Sequence, residues 1–257
     1  MKHHILSYFS FLLRSTNQHG VHSPFVYQLL TQCFYDKKQY DAYNILKNYR
    51  KALHTDSETI KVTDFGAGSR VFKTNNRKVA AIAKHVAMMP KRQRLLFRLT
   101  QYFQFNNILE LGTSLGMATA AMALGNPTAT IQTVEGCPNT VKKATDYFTK
   151  YELQNITAYN QLFKDFFIEN ALETYDLVFI DGNHNKESTL QYFEWLLKHI
   201  HNDSVLLFDD IYWNTAMTEA WQEIIKHPRV TVSVDTFQWG LVFFRKEQRK
   251  QHFSIRL

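Results

Sequence analysis

From residue 107 onward, short strand-like apolar runs alternate with helical segments, and this alternation limits the fold more than any other feature of the chain. The runs fall at 107–111, 130–135, 156–159, 175–180 and 204–208. Helical stretches of about 116–124, 138–151, 162–172 and 186–200 separate them. Strands that alternate with helices build right-handed βαβ units, so the pattern predicts a parallel sheet covered by helices on both faces. A helix over 214–226 follows. The last two runs, 229–235 and 238–245, are separated by Thr236 and Phe237 alone. A connection that short cannot cross over the sheet and forces an antiparallel hairpin. The predicted class is therefore α/β, with five parallel strands and a terminal hairpin. No internal repeat or low-complexity segment interrupts it.

The region before residue 106 reads differently. Ser23-Pro24 has the form of an N-cap followed by N1, which starts a helix running to about residue 35. His19-Gly20-Val21-His22 is the turn before it. Further helices are predicted at 40–53, 77–88 and 90–102, the last carrying Lys91, Arg92, Arg94 and Arg98. Ile5, Tyr8, Phe9, Leu12 and Leu13 recur at helical spacing. That amphipathic helix is expected to pack on the body of the protein, with a membrane surface as the alternative. The run is short, ends in Arg14 and lacks a small-x-small cleavage site, so it is not read as a signal peptide. No stretch approaches the roughly 20 apolar residues of a spanning helix. Residues 60–69 (IKVTDFGAGS) taken alone resemble a nucleotide-binding strand and glycine turn. The polar, basic stretch that follows has no acidic-ended second strand, so the segment reads as a structured loop. The expected organisation is a basic helical N-terminal extension, or lid, over residues 1–105 and a second domain over 106–257.

Charge supports the same division. The chain has 30 Lys+Arg and 23 Asp+Glu, a net of +7. Residues 1–105 carry +12 of it and residues 106–257 carry −5. A basic face attracts phosphates, anionic substrates or membrane surfaces, or is simply a solvated set of helix faces. Only two cysteines, Cys33 and Cys137, occur, with no C-x-x-C pair. They provide no disulfide framework, which suits a reducing cytoplasm. Both are read as structural.

The first strand leads into Glu110-Leu111-Gly112-Thr113-Ser114-Leu115-Gly116 and then a helix. The two glycines let the backbone turn sharply and approach a ligand, and the helix beyond them offers free N–H groups. The second strand ends in Glu135, placed where a carboxylate can accept both hydroxyls of a ribose. The glycine spacing is G-x-x-x-G, so the third glycine of a dinucleotide fingerprint is absent and no pyrophosphate cradle is evident.

Residues 109–116 (LELGTSLG) resemble motif I of the class I S-adenosylmethionine (SAM)-dependent methyltransferases. The likeness is closest to the catechol O-methyltransferase-like branch and extends over about residues 91–245. Thr133-Val134-Glu135-Gly136-Cys137-Pro138 matches the ribose-binding segment of that branch. The resemblance implies a Rossmann-like sheet of order 3-2-1-4-5-7-6 with the last strand antiparallel. It implies SAM as cofactor, with Glu110, Gly112, Thr113, Ser114, Gly116, Glu135 and Asp181 as binding residues. In that reading Gly112 and Gly116 line the methionine part and Glu135 holds the ribose. Residues 160–165 fall where the family contacts adenine, although Gln161, Leu162 and Phe163 are larger than its usual residues there.

The fourth strand ends in Asp181-Gly182-Asn183-His184 and the fifth in Asp209-Asp210. Asp181, Asp209 and Asp210 are expected to converge, and three such carboxylates repel one another unless protonated or bound to a cation. Mg²⁺ takes oxygen ligands of this kind. The related enzymes hold a metal with an Asp after strand four and an Asp-Asn pair after strand five. Here Asp210 replaces the Asn. The family's lysine base corresponds to His184, a residue able to take a proton near neutral pH. An Asn/Asp-Pro-Pro-Tyr motif for base-amine methylation is missing. Cys137 lies after strand two, away from where a pyrimidine-methylating nucleophile belongs. The expected function is SAM-dependent O-methylation of a small-molecule acceptor, anionic or neutral, with or without Mg²⁺. An RNA or other anionic macromolecular acceptor and a non-catalytic SAM-binding protein are the alternatives. A homodimer is compatible with the sequence. His19, His22 and Phe25 are candidates to face the acceptor or to be ordinary turn residues.

Overall fold

The computed structural model describes residues 2–65, 72–85 and 88–257. In chain order the elements are helices α1 (Lys2–Arg14), α2 (Pro24–Leu29) and α3 (Ala42–Thr55), strands β1 (Thr59–Lys61) and β2 (Asn76–Lys78), and helices α4 (Val79–His85) and α5 (Pro90–Phe103). The alternating part follows as β3 (Asn107–Leu111), α6 (Met117–Gly125), β4 (Thr130–Val134), α7 (Pro138–Lys150), β5 (Ile156–Tyr159), α8 (Phe163–Glu169), β6 (Tyr175–Ile180), α9 (Lys186–Leu196), β7 (Ile200–Asp209) and α10 (Thr215–Lys226). The chain closes with β8 (Val232–Asp235), β9 (Trp239–Phe243) and β10 (Gln251–Ser254). It folds as two compact units, one of Met1–Asp36 with Leu172–Leu257 and the other of Lys37–Ala171.

In the unit of residues 37–171, β3, β4 and β5 are parallel neighbours in that order. This is the expected 3-2-1 run. Strand β3 is buried along almost its whole length, as a strand covered on both faces must be. Helix α6 is a small-residue helix that packs on α5 and α3. The segment read as a loop at 60–69 begins as strand β1, which pairs antiparallel with β2. The helix expected from residue 77 thus starts only at Val79, because Asn76–Lys78 is spent on that pairing. The glycine segment beyond Phe65 lies outside the described residues.

In the other unit the strands run β6-β7-β9-β8, with β6 and β7 parallel and β9 antiparallel to both β7 and β8. This is the expected 4-5-7-6 run with its hairpin. An unexpected strand, β10, joins β8 in parallel. Its sequence, Gln-His-Phe-Ser, shows no apolar alternation. It is held by its position: Ile255 donates to the Asp235 carbonyl and Thr16 donates to the Ser254 carbonyl. Asparagine caps open α9 and α10, Asn185 accepting from Ser188 N–H and Asn214 from Met217 N–H.

Helix α1 departs from expectation in its orientation. Only Phe11 of this helix is buried. Ile5, Leu6, Phe9 and Leu13 are exposed, Leu13 at 91%. The helix docks through its polar side. His3 Nε2 meets Thr218 Oγ1 at 3.0 Å, and Arg14 hydrogen-bonds Tyr212 and lies 3.3 Å from Asp235. The physical reason is Asp235. Its carboxylate is almost wholly buried and needs a cation and donors, which Arg14, the Tyr212 hydroxyl (2.5 Å) and the Phe237 N–H (2.7 Å) provide. The rings of His4, Tyr8 and Phe11 gather on Phe237 beside it. His19 and His22 are exposed turn residues, while Phe25 packs edge-on against Phe243 beneath the Arg245 guanidinium. Both cysteines are free and buried.

Arg14→Met removes the cation from a buried carboxylate and keeps the side-chain stem. Because Arg14 is partly exposed and Asp235 keeps two donors, the expected loss is about 1–3 kcal/mol, less than for a fully buried pair. Urea unfolding measures it; an unchanged midpoint would show that α1 is held by its apolar contacts alone.

Candidate functional site

The turn between β3 and α6 needs a backbone that most residues avoid. Gly112 has φ 108°, Ser114 φ 47° and Gly116 φ 72°. Gly116 also has no room for a side chain. A Cβ there would lie 2.3 Å from Phe148 Cε1 and 2.8 Å from the Tyr49 oxygen. The Tyr49 hydroxyl donates to the Leu115 carbonyl at 2.9 Å, which locks the turn from the α3 side. Tyr49 is a contributor the sequence did not point to, since it stands 66 residues from its partner with no local signal.

Glu135 follows β4 immediately and faces this turn. Ser114 N–H donates to one carboxylate oxygen at 3.1 Å and Cys137 N–H donates to the other at 3.0 Å. Burial raises the pKa of Glu135, these N–H groups pull it back, and the charge of Asp64 raises it further. Asn160 Nδ2 donates to the carbonyls of Glu135 and Gly136, at 2.9 Å each, and so fixes the chain beyond the carboxylate. In the segment expected near adenine, Gln161 is instead tied to Glu169 and Asn170.

Glu110 does not reach the surface of the turn. It is fully buried beneath it, and one carboxyl oxygen accepts from the hydroxyls of Thr119 and Thr133 at 2.5 Å. Thr133 in turn meets Thr113 Oγ1 at 2.6 Å. The network ties turn, β4 and α6 together. The other oxygen of Glu110 has no hydrogen-bond partner among the described residues. Desolvation dominates, and it pushes the Glu110 pKa up to about 8.

In the other unit, His184 Nε2 lies 3.8 Å from Asp181 Oδ1, and its ring lies 5.6 Å from that of Trp213. Asn183, His184 and Asp210 all have positive φ, so both strand ends turn sharply here. Among the described residues, no group of three or more His, Cys, Asp or Glu side chains could hold an ion. Asp209 turns back on its own chain and accepts from the Asp210 N–H at 2.9 Å, while Asp181 is directed to His184.

The basic side chains of α5 are largely engaged within their own unit. The Arg94 guanidinium lies over the Tyr43 ring at 4.9 Å, and Arg98 donates to the Tyr43 hydroxyl at 3.3 Å. Their charge is part of the packing of α5 on α3. Among the described residues, no helix is long and apolar enough to cross a membrane.

The Glu110 carboxyl has a pH signature. Its pKa is raised on folding, so the folded state holds a proton that the unfolded chain loses above its ordinary value near 4.5. Stability should therefore fall as pH rises between about 4.5 and 8, by up to about 1.4 kcal/mol per pH unit from this group. Urea unfolding across that range is expected to lose this component of its slope in Glu110→Gln; an identical slope in both proteins would refute the assignment.

Residues 109–211 match a family described as a methyltransferase domain. No curated protein matches the chain. Among solved structures, similar ones include an O-methyltransferase from Bacillus cereus in complex with S-adenosylhomocysteine (SAH), at 18% identity and TM-score 0.57, covering 80% of this chain and 92% of that one. SAH-bound methyltransferase PaMTH1 from Podospora anserina has 15% identity and TM-score 0.63, with 88% and 97% of the two chains covered. The O-methyltransferase TomG from Streptomyces achromogenes, in complex with SAM and involved in tomaymycin synthesis, has 16% identity and TM-score 0.57, with 90% and 99% covered. At these identities the structures show the fold alone: the chain has the fold of these O-methyltransferase structures, and its residues 109–211 are similar to a methyltransferase domain.

Proposed function

We propose that this protein transfers the methyl group of SAM to an oxygen of a small-molecule acceptor. The observation that carries the reading is Glu135. Its carboxylate oxygens accept backbone N–H groups, from Ser114 and Cys137 among others, and a carboxylate with about four acceptor positions can take ribose hydroxyls as well. Gly112, Thr113, Ser114 and Gly116 form the adjoining turn and take the methionine part, with Glu110 supporting that turn from beneath. The likeness to O-methyltransferases bound to SAH or SAM supports the same cofactor. Residues 1–105 are then an extension to a catalytic domain that begins near 106.

His184 is the group assigned to the acceptor proton, and Asp181 orients its ring. As the acceptor oxygen attacks the methyl carbon, the carbon–sulfur bond breaks, SAH leaves, and the imidazole takes the hydroxyl proton. No step is routed through Mg²⁺; Asp181 is assigned to His184, and Asp209 accepts from the Asp210 N–H. A small acceptor is favoured by the likeness to O-methyltransferases such as TomG, which is involved in tomaymycin synthesis. Two buried free thiols suit a reducing cytoplasm.

Calorimetric titration tests the cofactor. SAM is expected to bind, and Glu135→Ala should weaken it roughly 10–100-fold, the worth of hydrogen bonds to a charged group. Absence of binding by the wild-type protein overturns the reading. With an acceptor found by screening hydroxylated small molecules, His184→Ala should lower kcat about 10²–10⁴-fold and leave the Kd for SAM unchanged. Methyl transfer is expected to survive EDTA; its loss, restored by Mg²⁺, would return the metal to the mechanism.

A further inference from the structure

The hairpin of β1 and β2 lies outside the matched methyltransferase segment, yet within its own unit it is fastened beside the carboxylate assigned to ribose. Helix α7 holds it along one face, with Asn139, Lys143 and Tyr147 at i, i+4 and i+8. Asn139 Nδ2 donates to the Lys61 carbonyl at 2.7 Å, Lys143 pairs with Glu58 and, at 3.4 Å, with Asp56, and the Tyr147 hydroxyl donates to Asp56 at 3.0 Å. The Thr63 N–H points to the Cys137 sulfur at 3.3 Å. These contacts deliver Asp64 and Phe65 to the segment that follows Glu135.

Phe65 arrives at Gly136. A Cβ on that glycine would lie 2.7 Å from Phe65 Cδ2 and 3.1 Å from Cε2, so the ring occupies the space of a side chain at position 136. The ring is not a core residue, for Phe65 remains 56% exposed. An exposed aromatic held rigidly over a glycine leaves much of its surface open to a flat ligand. Gly136 is one residue, a Cα–Cα step of roughly 3.8 Å, beyond the carboxylate assigned to ribose, so the ring stands beside that part of the site. Asp64 adds negative charge there, as its effect on Glu135 shows, and pairs with Arg77 at 3.9 Å.

We propose that Phe65 replaces the side chain that Gly136 lacks and forms the apolar wall for the adenosine end of SAM, so that a residue of the N-terminal extension completes the cofactor site. The assignment rests on the SAM reading above. Stacking of a base on an aromatic ring is worth about a factor of 10 to 100 in affinity, as judged by alanine substitution.

The test is calorimetry with SAM and with 5′-methylthioadenosine, a probe that keeps the adenosine end and lacks the amino-acid end. Phe65→Ala should weaken both by the same factor, about tenfold or more, with Phe65→Trp retaining affinity. Gly136→Leu alone should also weaken both, because its side chain meets the Phe65 ring. In the double variant Phe65→Ala/Gly136→Leu the new side chain occupies the emptied space, and affinity should recover above that of Phe65→Ala. Thermal melting of each variant separates loss of the wall from loss of the fold. Wild-type affinity for both probes in a folded Phe65→Ala protein overturns the inference while leaving the SAM reading intact. So does a loss confined to SAM. Failure of the wild-type protein to bind SAM overturns the SAM reading instead.

Discussion

The left-handed backbone at Gly116 is the constraint on which the turn after β3 and the carboxylate beside it depend. A side chain at that position would collide with Phe148 and Tyr49. Those rings come from α7 and α3, so the turn is shaped by helices on either side of it in sequence. With the turn so pressed, the N–H of Ser114 falls within 3.1 Å of Glu135, and the carboxylate after β4 is held in place before any ligand arrives. Preorganisation of this kind removes the cost of ordering the site during binding.

Beneath the turn lies a second, polar layer. Glu110, Thr119, Thr133 and Thr113 form a buried chain of hydrogen bonds. A fully buried carboxyl with two donors on one oxygen is expensive to ionise, which is why its pKa is pushed up to about 8. Protonation lets Glu110 serve as a structural group, while Glu135 lies at the turn itself, held by backbone N–H groups. Two glutamates at adjoining strand ends thus take different roles through environment alone.

The legible part of the sequence was the part whose signals are local and periodic. Apolar runs at 107–111, 130–134 and 175–180 are strands because each is nearly wholly buried. The two-residue connection at Thr236-Phe237 left an antiparallel hairpin as the only outcome. Pro138 at the start of α7 and the cap at Ser23 were read correctly for the same reason. The N-terminal region misled because its pattern has two solutions. The apolar stripe of α1 suggested an inward apolar face, yet the need of buried Asp235 for Arg14 and Tyr212 turned the polar side inward. Strand β10 was invisible because nothing in Gln251–Ser254 alternates; its pairing comes from the edge that β8 presents.

The sequence by itself determined the alternation of parallel strands and helices, the terminal hairpin, the glycine turn and the acidic residue after β4, because periodicity and short connections leave few alternatives; the strand order came from the family resemblance. Only the tertiary structure decided what the carboxylates do. Asp209 accepts from the Asp210 N–H and Asp181 faces His184, local arrangements that no sequence pattern records. Only the tertiary structure, too, brought Tyr49 under the turn and Phe65 over Gly136. Such contacts join residues 66 and 71 positions apart. They are set by packing and desolvation, whose energies depend on neighbours that no local pattern of residues records.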